Sequence, residues 1–138
     1  MSEAETRDLV ARAFAALNSG DVEALLSCLS EDVALDLPGQ GREIGRDRVR
    51  WRLAGLSRHF RAAAADLAVM TAPGGLRAAA EFTLRGTYNA TLAGLPPAGG
   101  QPFRIAAGIF LDVDDDGLIS RITACYDASM LVSELSKS

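Results

Sequence analysis

The sequence predicts an α+β domain in which helices come first and antiparallel strands follow. Three observations predict it. Apolar residues recur at helical spacing from Leu9 to Phe60. From Ala64 onward they alternate at period two, and short turns rich in Gly, Pro and Asp separate the alternating stretches. At 138 residues the chain has the length of one domain, spanning 1–138. Helices followed by a run of strands imply a sheet covered on one side by helices.

The first helix is expected over residues 4–18, with Leu9, Val10, Ala13, Phe14 and Leu17 on one side. Asn18-Ser19-Gly20 ends it. Asp21 then caps a shorter helix over 22–29, because its carboxylate can accept an unpaired N–H of the first turn. Val33, Leu35 and Leu37 alternate with Ala34 and Asp36, which predicts a short strand ended by Pro38-Gly39-Gln40-Gly41. In the third helix, 47–61, Val49, Leu53, Leu56 and Phe60 form a narrow stripe and Trp51 lies opposite it.

Residues 65–72 read as a strand leading into the turn Pro73-Gly74-Gly75. Over 76–88, Phe82, Leu84 and Tyr88 share one face; Glu81, Thr83, Arg85 and Thr87 share the other. Gly94 to Pro102 is a loop. Residues 103–113 carry Phe103, Ile105, Ala107, Ile109, Leu111 and Val113 on one face, with Ala106, Gly108 and Phe110 on the second. Asp114 to Gly117 is a turn, 118–126 a last strand, and a short helix follows Asp127.

Composition narrows the function. Apolar residues make up 49% and charged residues 23%, as in an ordinary globular protein. The net charge of −4 disfavours nucleic-acid binding, which needs a basic surface. No apolar run has membrane-spanning length, and Met-Ser-Glu-Ala-Glu lacks the basic start of a signal peptide, so a cytoplasmic location is expected. Cys28 and Cys125 are far apart and read as buried free thiols. Half of the basic residues lie from Arg42 to Arg61; they read as a solvated helix face or as a surface for an anionic ligand or partner. One His, two separated Cys and an Asp run with Thr123 at its twelfth position make no metal site, so no metal is expected.

Ala13 to Pro38 resembles the opening of the nuclear transport factor 2-like superfamily, which includes ketosteroid isomerases and SnoaL-like polyketide cyclases. Gly41-Arg42-Glu43-Ile44-Gly45-Arg46-Asp47 resembles that branch's entry to the third helix. Arg77 to Phe82, Gly86-Thr87-Tyr88, Gly94 to Gln101 and Gly117 to Thr123 resemble its later strands and loop. The resemblance covers about Arg7 to Leu131. It implies a cone in which N-terminal helices pack on a curved, mostly antiparallel sheet and enclose an apolar cavity. It also implies cofactor-free proton transfer on an apolar, carbonyl-bearing or polycyclic substrate, or non-catalytic ligand or partner binding in the same fold. A homodimer through the outer face of the sheet is a common assembly in the superfamily. The isomerase catalytic positions fall on Leu37, Ala13 and Gly108 or Ile109, none of which can move a proton, so that mechanism is not expected.

Three residues remain as candidate catalytic groups. Asp36 adjoins the vacant base position and could act as a base if a bulge turned it inward; alternation instead directs it away from Leu35 and Leu37. Tyr88 could donate to an oxyanion, or be a core tyrosine satisfied by the backbone. Asp127 lies in Tyr126-Asp127-Ala128-Ser129-Met130-Leu131, which resembles a segment where SnoaL-like cyclases carry an acid; it is equally a helix N-cap. The expected cavity lining is Phe82, Leu84 and Tyr88 with some of Ile105, Ile109 and Leu111, closed by Ala13 and Leu53; Tyr126, Asn89 at the mouth and His59 at the edge of the third helix's stripe are the other expected ligand contacts.

Overall fold

The computed structural model of the chain describes residues 1–137. Helix α1 (Glu3–Ser19) starts at a capping box, in which Ser2 Oγ accepts the Glu5 N–H and Glu5 Oε1 accepts the Ser2 N–H. It stops at Gly20, whose φ of 76° is the left-handed cap conformation that glycine adopts without strain. Asp21 caps α2 (Val22–Ser27) by accepting the Ala24 N–H at 3.1 Å. Strand β1 (Leu29–Asp36), the short β2 (Glu43–Ile44) and α3 (Arg46–Ser57) follow. The chain then forms β3 (Phe60–Thr71), β4 (Arg77–Tyr88), β5 (Gln101–Val113) and β6 (Ile119–Tyr126), and ends in α4 (Ala128–Leu135).

Two boundaries differ from the sequence pattern. The third helix ends at Ser57, and Phe60 opens β3 rather than closing the helix. Its ring stacks on Tyr88 at 5.0 Å and meets Phe103 edge-on at 5.5 Å, so aromatic packing across the sheet outweighs the helical stripe. β1 begins at Leu29, because Arg46 of α3 donates from Nε and Nη2 to the Leu29 carbonyl and holds that residue extended.

The six strands form one sheet in the order β2-β1-β6-β5-β4-β3. Every pairing is antiparallel except that of β1 with β6. On the edge strand β3, the Asn18 amide takes the place of a missing neighbour. It donates to the Ala64 carbonyl at 3.0 Å and accepts the Ala64 N–H at 2.8 Å. The register of β3 shifts between Ala65 and Ala68, where Asp66 has φ 55°. Gly86 allows β3 to approach β4: a Cβ there would lie 1.9 Å from the Arg61 carbonyl oxygen.

Helices α1 and α2 cover one face of this α+β sheet, and the core lies between them. Leu9, Val10, Phe14, Leu26, Leu29, Val33, Leu111, Val113 and Ile119 pack there. A second, smaller cluster of Tyr88, Phe103 and Leu135 sits near the other end, with Phe60, Leu84, Leu92, Leu95 and Leu131 against it. The loop after β4 and α4 cover that cluster. Cys28 is buried, as expected. Cys125 is exposed, against expectation, because it pairs with Gly108 on the uncovered face.

On that outer face one row crosses the sheet: Asp36, Thr123, Phe110, Ala79 and Met70. Asp36 accepts a two-pronged pair from Arg42, at 2.8 and 2.9 Å, and the Thr123 hydroxyl at 2.8 Å. Arg121 joins the same network, donating to Thr123 at 2.6 Å and to both oxygens of Asp112. The network braces the parallel β1–β6 pair. The Arg42 and Thr123 hydrogen bonds hold the Asp36 carboxyl down at about 2. A depressed carboxyl contributes stability that is complete above its unfolded value near 3.8 and lost as pH falls toward 2. Asp36→Asn is therefore expected to cost about 1 kcal/mol at pH 6, since Arg42 is solvent-exposed, and much less at pH 2.5. Chemical denaturation at the two pH values checks this; an equal cost at both would refute it.

Candidate functional site

The candidate site is the part of the covered face that is only half-buried against the large cluster. Positions facing the helices follow strict alternation along β4, β5 and β6, so neighbouring strands stack their inward residues in rows. The row of Leu35, Ile122, Leu111 and Ala78 belongs to the large core. The row of Tyr88 and Phe60 belongs to the small one. Between them Ile109 pairs with Ala124, and Ala107 pairs with both Phe82 and Tyr126. Phe82, Ala107, Ile109 and Ala124 are only half-buried, and Tyr126 is 40% exposed. Leu37 and Leu53, from the end of β1 and from α3, are half-buried against the same rim. This half-buried apolar stretch of sheet, the saddle, lies against the large core and beside the small one.

The saddle has firm support. Phe82 meets Phe14 of α1 edge-on at 5.1 Å, which fixes its ring from below. Leu53 sits on α3, whose position is set by Val49 in the core and by Arg46 on the Leu29 carbonyl. The strand floor bears Leu, Ile, Phe, Ala and Tyr side chains and no charge. Such a surface favours a ligand that is itself apolar, since a charged group placed there would lose water and gain no counter-ion.

The expected lining residues take different places in the fold. Leu53, Phe82 and Ile109 are half-buried against the large cluster, Leu84 packs against the small one, and Tyr126 is exposed opposite Ala107. Ala13, Ile105 and Leu111 have the expected inward direction but are fully packed, at 7%, 4% and 1% exposure, so they line no open surface. His59 and Asn89 sit together at the far end, beyond the small cluster. Asn89 N–H donates to the His59 carbonyl at 2.7 Å, and His59 Nδ1 lies 2.9 Å from the Ala90 carbonyl. They brace the turn after β4 and do not border the saddle. The sequence places Ala107 on the inward face but not in the expected lining, and does not single out Ala124. Their signal was present, since both continue the inward parity of their strands, but alanine carries no chemical flag.

The three candidate catalytic residues are all engaged elsewhere. Asp36 faces the outer side, as alternation requires, and its pairing with Arg42 and Thr123 makes it a weak base. Asp127 caps α4, accepting the Ser129 N–H at 2.9 Å and the Ser129 hydroxyl at 2.6 Å. The Ser129 side chain and then the Ser129 and Met130 amides hold its carboxyl below the usual range. Tyr88 is fully buried; its hydroxyl donates to the Pro96 carbonyl at 2.7 Å and accepts the Leu92 N–H at 2.9 Å. It pins the loop over the small cluster and has no proton left for a ligand. Thus neither carboxylate reaches the saddle, and the phenol expected there is a structural one.

The arginine-rich third helix is mostly a surface matter. Arg42 pairs with Asp36, Arg48 and Arg52 with Glu43, and Arg50 with Glu23. Trp51 is 58% exposed between the guanidinium groups of Arg48 and Arg52, each just over 5 Å from its ring. Asp114 accepts the N–H groups of Asp116 and Leu118, which makes the Asp run a hairpin turn. No helix among the described residues is long and apolar enough to cross a membrane.

Residues 10–122 match the family model of the SnoaL-like domain. No curated protein matches the chain in sequence. Among solved structures, a protein of Xanthomonas campestris pv. campestris, provisionally named a polyketide cyclase, is 36% identical with a TM-score of 0.94, over 97% of this chain and 98% of that one. A second protein so named, from Pseudomonas putida KT2440, is 38% identical with a TM-score of 0.91, over 99% of both chains. A nuclear transport factor 2-like protein of Burkholderia xenovorans LB400, 20% identical with a TM-score of 0.75 over 99% of both chains, is alike in fold. The chain belongs to the SnoaL-like branch of the nuclear transport factor 2-like superfamily.

Proposed function

We propose that this SnoaL-like protein takes up an apolar polycyclic or carbonyl-bearing small molecule on the saddle between its two cores. The observation that carries the reading is the half-burial of Phe82, Ala107, Ile109 and Ala124. These inward-facing apolar residues lie in the centre of the sheet, between rows that hold the buried Leu35, Leu111 and Ala78 on one side and Ile105 and Tyr88 on the other. Leaving them wet forgoes hydrophobic stabilisation of about 25 cal/mol per Å2, which a flat apolar ligand would recover. The names of the two full-length likenesses support a second reading, in which such a ligand is a polyketide-type substrate that is cyclised. Under that reading too, Asp36 and Asp127 are structural, since neither faces the saddle.

Fluorescence or NMR titration with neutral tricyclic aromatics tests the binding. The wild type is expected to bind, and Ala107→Phe, which fills the saddle, to weaken binding at least about tenfold. Asp36→Asn and Asp127→Asn are expected to bind as the wild type does, and to keep any turnover found. Unchanged binding by Ala107→Phe with its fold intact by circular dichroism would overturn the assignment.

We also propose that two copies associate through the outer face of the sheet. Phe110 and Met70 are 52% and 48% exposed in one row with Ala79, flanked by the charged row of Arg77, Asp112 and Arg121 on one side and by Glu81 on the other. An apolar centre with a polar rim has the make-up of a protein interface. Sedimentation equilibrium at micromolar concentration is expected to give a dimer, and Phe110→Glu a monomer. A monomeric wild type would refute it.

A further inference from the structure

We propose that Tyr126 is the polar anchor of the saddle, donating its phenolic O–H to a neutral carbonyl oxygen on the edge of the bound ring system. This rests on the saddle being the binding surface, and it narrows the ligand to molecules with a carbonyl at one edge. Tyr126 is the last residue of β6 and pairs with Ala107, so it has the inward parity of Ile122 and Ala124. It is 40% exposed, and among the described residues its hydroxyl has no hydrogen-bond partner. The other tyrosine is the contrast, with zero exposure and both hydroxyl bonds made.

The surrounding acids cannot serve in its place. Asp127, the next residue, is spent on the α4 cap, and Glu134 accepts the Arg104 N–H and pairs with Lys137. The remaining floor residues carry no polar side-chain atom. A ligand lying across Ala107 and Ile109 therefore meets one side-chain donor, at the β6 end. A phenol can satisfy a carbonyl oxygen, but it cannot neutralise a carboxylate, and no cation stands on the floor to do so. The geometry thus selects a ketone or quinone edge over an acid.

The test compares 9-fluorenone with fluorene, two planar tricyclic molecules that differ by the carbonyl. The wild type is expected to prefer fluorenone by roughly 3- to 10-fold, the worth of one partly solvated hydrogen bond. Tyr126→Phe keeps the ring, so fluorene affinity should hold while the preference disappears. The infrared C=O stretch of bound fluorenone should lie lower in the wild type than in the variant. If Tyr126→Phe keeps the preference and the stretch, the anchor is refuted while the saddle stands. If the wild type binds neither molecule, the saddle reading fails and the anchor with it.

Discussion

The pairing of β4 with β5 fixes the side of the sheet on which every chemically active group lies. It runs without a break from Arg77 opposite Asp112 to Tyr88 opposite Gln101. A one-residue slip of β4 would turn Phe82 and Leu84 to solvent and bring Glu81 and Arg85 inside, and a slip of β5 would likewise turn Ile109 and Leu111 out and Asp112 in. Burying the former set holds the register, and the register in turn carries β6 and β1, so that Ile122 and Leu35 join the core while Thr123 and Asp36 face outward. The chemistry of the two faces follows. The covered face is apolar and ends in an open saddle; the outer face holds the ion-pair network of Asp36, Arg42, Arg121 and Asp112.

That division explains why the carboxylates are poor acid–base groups. A general base near neutral pH needs a raised carboxyl, which burial in an apolar site provides. Asp36 and Asp127 have the opposite surroundings, with two or three hydrogen-bond donors each and access to water, and both are lowered. Their work is mechanical: one braces a parallel strand pair, the other starts a helix. The loop pinned by the Tyr88 hydroxyl and the helix capped by Asp127 together cover the small cluster.

Much of this was legible in the sequence. The parity of Phe82, Leu84 and Tyr88 and of the 103–113 run held residue by residue, because long strands with one wet face must alternate. The caps at Asp21 and Asp127 were visible for the same local reason, a short acceptor ahead of a helix. The end of α3 was not visible, since Phe60 continues its helical stripe and neither Gly nor Pro follows Ser57. Nor was the Arg42 partner of Asp36, which depends on how the 37–42 turn folds back. The role of Tyr88 stayed open because period alone cannot say whether a hydroxyl meets backbone or ligand. Ala107, on the inward face but outside the expected lining, and Ala124 carry no chemical flag, because a small residue marks a ligand surface only by what fails to cover it.

The central claim is that the ligand surface is the saddle between the two cores. Intermolecular NOEs from the Leu37, Leu53 and Ile109 methyl groups to bound fluorenone test it most directly. The account expects contacts from all three, with the aromatic protons of Phe82 close by. Contacts confined to the groove between the β5 start and α4, lined by Pro97, Phe103, Arg104 and Lys137, would contradict it.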